Sequence, residues 1–103
     1  MPYQVTVLYH QPDDPAAFDR HYDDVHVPLA SKIPGLQGYT VSRPVPDENG
    51  LPAFHMVAVL TFASQEEMAG AMSSEEGQAA VADVANFASG GVTMLSGPVE
   101  VAV

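Results

Sequence analysis

The chain reads as an α+β protein of the ferredoxin-like kind, β-α-β-β-α-β, with a four-stranded antiparallel sheet and both helices on one face. Three observations predict this. Breaker-free runs rich in β-branched and aromatic residues occur at Tyr3–Tyr9 and Phe54–Phe62, and a helical segment follows each of them. A second pair of strand-like runs, at Gly38–Arg43 and Val92–Val103, completes the split βαβ order. Right-handed crossovers then put both helices on the same side of the sheet.

The first strand, Tyr3 to Tyr9, sets Val5, Val7 and the two tyrosines on one side and Thr6 and Leu8 on the other. Gln11-Pro-Asp-Asp-Pro15 is a turn, in which Asp13 or Asp14 can cap a helix and Pro15 suits its first position. That helix runs from about 15 to 32, and Pro34-Gly35 stops it. At roughly 100° per residue, Phe18, Tyr22, Val25, Leu29 and Ile33 form its apolar stripe, with His26 at the border. Gly38 to Arg43 is the second strand, and Pro44 to Pro52 is a loop or hairpin turn. In the third strand, Phe54, Met56, Ala58, Leu60 and Phe62 share one face, and His55, Val57, Val59 and Thr61 the other.

Ser64-Gln-Glu-Glu67 matches a capping box and starts a helix over about 65–73. Ser74-Glu-Glu-Gly77 restarts it, and the alanine-rich stretch Gln78 to Phe87 suits close packing on the sheet. Ser89-Gly-Gly91 ends this helix. The last strand, Val92 to Val103, is interrupted by Gly97-Pro98, a pair better placed at a sheet edge or bulge than in a central strand.

Composition narrows the function. The 103 residues suit one domain with a core that needs no staples. No cysteine is present, which excludes disulfides, thiolate metal sites and thiol nucleophiles. Thirteen acidic against three basic residues give a net charge of −10, so nucleic acid and acidic membrane surfaces are repelled. No segment has the ~18 apolar residues of a membrane span, and Met1-Pro2-Tyr3 does not begin a secretory signal. A cytoplasmic protein is expected.

With both helices on one face, the opposite face has no cover within the chain, yet its strands carry apolar side chains. At ~25 cal/mol per Å2, covering ~500 Å2 on each of two copies gains about 25 kcal/mol, more than the ~4 to 15 that association costs. A face-to-face homodimer is therefore expected, with the ligand pocket in the space left between the two twisted sheets.

The pattern Val5-x-Val7-Leu8-Tyr9, Phe18-x-x-His21-Tyr22-x-x-x-His26-Val-Pro28-Leu29, Pro34-Gly35-Leu36, Leu60-x-Phe62 and Ala82-Asp83-Val-Ala-Asn86-Phe87 resembles the EthD family of dimeric α+β barrels. The resemblance spans nearly the whole chain and is most specific at His-x-Pro-Leu. It implies the dimeric barrel fold, and relatives that include muconolactone-type isomerases, aromatic polyketide cyclases and fungal polyketide decarboxylases. By resemblance, His26 is the family histidine and Tyr22 the aromatic residue one turn before it. Asp83, Asn86 and Phe87 match a family segment that reads most simply as a helix terminus satisfying backbone groups. His21 stands where relatives often carry an aromatic residue and reads as a surface substitution.

A histidine near pKa ~6.5 exchanges protons at neutral pH and contributes about 10^2 to 10^4 in rate when well placed. His26 and Tyr22 are accordingly the candidate catalytic pair, for isomerisation, cyclisation or decarboxylation of a small oxygenated organic compound without a cofactor. Tyr9, His10, Tyr39 and His55 are further pocket candidates. His21 and His26 are five apart, roughly 140° around a regular helix, which argues against their convergence on one metal ion. The sequence carries no Gly-rich dinucleotide loop, no haem motif and no Gly-x-Ser-x-Gly elbow. The competing reading is a non-catalytic accessory protein that holds a hydrophobic metabolite for an oxygenase, with His26 serving architecture.

Overall fold

The computed structural model describes residues 1–103. Four strands, β1 (Tyr3–His10), β2 (Gly38–Ser42), β3 (Phe54–Phe62) and β4 (Val92–Pro98), form one antiparallel sheet in the order β2-β3-β1-β4. Between β1 and β2 a helical stretch runs as α1 (Pro15–His21), a π-helical turn (Tyr22–His26) and α2 (Val27–Ala30). Between β3 and β4 lie α3 (Gln65–Ser73), α4 (Glu75–Asp83) and a 3-10 turn (Val84–Asn86). No helix is long and apolar enough to cross a membrane.

The termini of the helices follow the capping chemistry of the sequence. Asp14 accepts the Ala17 amide at 3.1 Å, Ser64 accepts that of Glu67 at 3.1 Å, and Ser74 accepts that of Gly77 at 3.0 Å. Gly77 is required where α4 turns off α3, because a Cβ there would stand 2.1 Å from the Ala71 carbonyl oxygen. Gly35, with φ +77, turns the chain out of the first helical stretch. Asp47 and Gly50 bond each other's backbone at 3.0 and 3.1 Å, so the predicted loop closes as a tight hairpin turn.

Period-two alternation sorts the sheet. Val5, Val7 and Tyr9 of β1, with Met56, Ala58, Leu60 and Phe62 of β3, are buried under the helices. Leu8, Val57 and Val59 face the other way and are only partly buried. The core gathers around Tyr9, whose ring meets Phe18 edge-on at 5.4 Å and Tyr22 at 5.7 Å. Removing a ring from such a site costs about 3–5 kcal/mol.

Two details depart from strict alternation. Tyr9 pairs with Met56 but His10 with Phe54, so β3 holds one extra residue there, His55. This bulge re-aims two side chains. Phe54 joins His10 on the open face, with ring centroids 4.9 Å apart, and His55 turns inward against Phe18 at 4.8 Å. Their sides are thus the reverse of those expected from parity. The last strand also ends early, at Pro98, which has no N–H to continue the ladder. Beyond it Val99 bonds the Pro2 carbonyl at 2.8 Å, while Val101 and Val103 are exposed.

Candidate functional site

The site begins with the wide turn in the first helical stretch. In a regular helix His26 would lie about 80° around from Phe18, at the border of the apolar stripe. Here the Val27 amide bonds the Tyr22 carbonyl, five residues back, which fits one extra residue into the turn. The buried positions consequently become Phe18, Tyr22, His26, Ala30 and Ile33. Val25, expected in the stripe, is turned out and 40 % exposed, and His26 moves from border to interior at 5 %.

The same turn brings His21 and His26 together, against the expectation from regular helical spacing. Both reach Asp83, at the end of α4: His21 Nε2 lies 2.9 Å from Oδ1, and His26 Nδ1 lies 3.0 Å from Oδ2. Asn86 Nδ2 donates to Oδ1 at 3.0 Å. An ionised carboxylate only accepts hydrogen bonds, so the imidazoles donate Nε2–H and Nδ1–H respectively. Phe87 covers the cluster, its ring 5.3 Å from that of His21 and 4.9 Å from that of His26. Asp83 therefore binds side chains as well as ending α4, and His21, though partly exposed, is tied to it rather than standing free on the surface.

The electrostatics follow from burial and these bonds. Burial pushes the Asp83 carboxyl up, but hydrogen bonds from Asn86, His21 and His26 outweigh it and hold the group below its ordinary range. Burial pushes the His26 imidazole below its ordinary value, with the Asp83 bond pulling the other way. His26 is thus neutral at pH 7. Its Nε2 makes no bond to protein, and no fully enclosed side-chain nitrogen or oxygen lacks a partner, so Nε2 opens onto free space.

His26 is among the residues lining a cavity of about 340 Å3 between the helices and the inner face of the sheet. It lies within a single chain. The cavity stands on the covered side of the sheet, where His26 sits, whereas the pocket expected between the sheets of two subunits would lie behind the open face. The walls are almost entirely apolar, from Val5 and Val7 to Ile33, Leu60, Ala80 and Val92. The polar exceptions are His26 and three phenols, Tyr9, Tyr22 and Tyr39; no lysine, arginine or carboxylate lines the cavity. The Tyr22 and Tyr39 hydroxyls are 2.6 Å apart. Burial, foremost, raises the proton affinity of all three phenols, which stay protonated.

Of the six residues expected at the site, His26, Tyr22, Tyr9 and Tyr39 converge on the cavity and two do not. His10 lies on the open face, bonded to Thr93 Oγ1 at 2.9 Å. His55 is held by Asp19 Oδ1 at 2.8 Å and packs on Phe18, behind the residues that line the cavity. The bulge in β3 decides the placement of His55, and nothing in its sequence surroundings announces that bulge.

Comparison with known proteins places this geometry in a family context. The family model described as the EthD domain matches residues 10–91. An uncharacterised 11.0 kDa protein in the thcB-thcC intergenic region of Rhodococcus erythropolis is 48% identical over 93 residues, 90% of each chain. The crystal structure of an EthD family protein from Bacillus halodurans C-125 superposes with a TM-score of 0.91 at 35% identity, over 97% of this chain and 100% of that one. A dimeric ferredoxin-like protein of unknown function from Thermobifida fusca YX shares the fold, with a TM-score of 0.73 at 14% identity over 96% and 92% of the two chains.

Proposed function

The chain belongs to the EthD family, and from that premise we propose that it binds a small, neutral, mostly apolar oxygenated metabolite and moves a proton on it through His26. One observation carries this reading: a buried, neutral histidine that lines an apolar cavity has Nδ1 fixed on Asp83 and Nε2 without a protein partner. A cavity of this size and lining suits a compact organic molecule. With no cation in its walls and a chain charge of −10, a carboxylate would be poorly received.

The chemistry is acid–base. Nε2 takes a proton from a carbon next to a carbonyl, the C–H electron pair becomes a C=C bond, and the carbonyl π pair moves onto its oxygen to give an enolate. Tyr22 or Tyr39 donates a hydrogen bond to that oxygen as its charge grows. Asp83 stabilises the imidazolium that forms, and return of the proton to another carbon completes an isomerisation; in a cyclisation the enolate carbon first bonds a second carbonyl carbon of the same molecule, whose oxygen then takes the proton. No cofactor is needed for these steps. Dimerisation through the open sheet face, where Leu8, Val57, Val59 and Leu95 lie, belongs to the same proposal and leaves the cavity within each subunit.

Native mass spectrometry of the freshly isolated protein is expected to show a dimer carrying an uncharged organic molecule. NMR titration with 1-naphthol should perturb His26, Tyr22 and Tyr39, whereas 1-naphthoate should not. Equal response to both compounds, or none at those three residues, overturns the reading.

A further inference from the structure

His21 points to a role the proposed chemistry does not use. Its side chain is 28% exposed, whereas that of His26 is 7% exposed, yet the two imidazoles share one carboxylate. A carboxylate that accepts several hydrogen bonds divides its negative charge among them. Asp83 accepts from His26 on Oδ2, from Asn86 on Oδ1 and from His21 at 2.9 Å to Oδ1 and 3.1 Å to Oδ2. Both of its oxygens are thus engaged by His21. Whatever His21 draws off is lost to the imidazolium form of His26.

We infer that His21 is a positioning residue that tunes the basicity of His26 through their shared carboxylate, its two contacts to Asp83 weakening the hold of that carboxylate on the pocket imidazole. This rests on the reading of His26 as the proton acceptor. The tuning is applied from the edge of the protein, where solvent reaches His21, and acts on a group enclosed behind Phe87.

The other groups around His26 leave this lever to His21. Tyr9 of β1, Tyr39 of β2 and Tyr22 of the π turn are phenols held neutral by burial. Asn86 carries no charge. Arg43 pairs with Asp23 at 3.2 Å on the surface, and His55 pairs with Asp19 at 2.8 Å beyond Phe18. Only Asp83 bonds Nδ1 of His26, and of the side chains that share Asp83 only His21 and Asn86 act on it through one bond.

The test is an NMR titration of the His26 ring in the ligand-free protein and two variants. His21→Phe keeps a ring against Phe87 but removes the donor, and should raise the proton affinity of His26 by about threefold or more. His21→Gln, whose amide N–H can replace Nε2–H, should return it to the wild-type value. An unchanged midpoint in His21→Phe, or equal midpoints in the two variants, overturns the inference. The measurement needs no substrate, so it stands apart from the 1-naphthol experiment. A shift here with no ligand response there would sink the proposed function while leaving the coupling of the two histidines in place.

Discussion

The cavity has two unlike ends. At the closed end, under Phe87, every polar group is tied to another: His26 and His21 to Asp83, Asp83 to Asn86, and Tyr22 to Tyr39. At the open end, Val81 and Met94 are each more than half exposed, and no ion pair crosses the gap between α4 and β4. The difference teaches where this molecule keeps its precision. Directional bonds fix atoms to within tenths of an ångström, whereas apolar contacts tolerate adjustment. Under the proposed function, proton transfer belongs at the closed end and admission at the open one.

The sharpest way to break the contrast is Asp83→Ala. It strips the partner from two imidazoles and an amide in a buried setting, and should cost about 3 kcal/mol in urea unfolding. His26→Ala comes next. It should leave the fold intact with a smaller loss of stability and lower any proton-transfer turnover by about 10^2 to 10^4, checked by steady-state kinetics once a substrate is in hand.

A third effect is pH dependence. The unfolded His26 takes up a proton near its ordinary value of 6.5, and the folded one only at lower pH. Between those points the unfolded chain holds more protons, so stability rises with pH. The His26 contribution is complete above 6.5 and is lost as pH falls through the folded value. Asp83 behaves alike lower down: its contribution is present above 3.8 and lost as pH falls through its depressed folded value. Urea midpoints measured from pH 8 to pH 5 should fall, and fall less steeply in His26→Ala. The smallest effect belongs to the open end, where Val81→Ala and Met94→Ala should change stability by no more than about 0.5 kcal/mol and act on ligand dissociation rates instead.

The sequence made the strands legible because their alternation is local, and the second helical pair legible because Ser64 and Ser74 announce its starts. Much of the closed end escaped such reading. His21 and Asp83 are 62 positions apart, and each is unremarkable alone. Their meeting depends on the wide turn at Tyr22–His26, whose residues carry no local mark distinguishing π from α geometry. The one available signal was the match of Asp83, Asn86 and Phe87 to a family segment, which states importance without stating contact. The bulge at His55 was hidden for a similar reason, since β3 reads as an unbroken strand and only its pairing with β1 exposes the surplus residue.

A turn closed by a five-residue step contains one more link than the helix needs. Excising Val25, which lies outside the packed interior, would let the segment relax to ordinary winding without deleting any cavity wall. Because the wide turn is what absorbs that link, His26, Ala30 and Ile33 would then follow Tyr22 at the three- and four-residue steps of ordinary winding and would keep facing inward. The wide turn is thus what lets a segment one residue too long for regular winding hold its histidine, and the side chains after it, on the inner face.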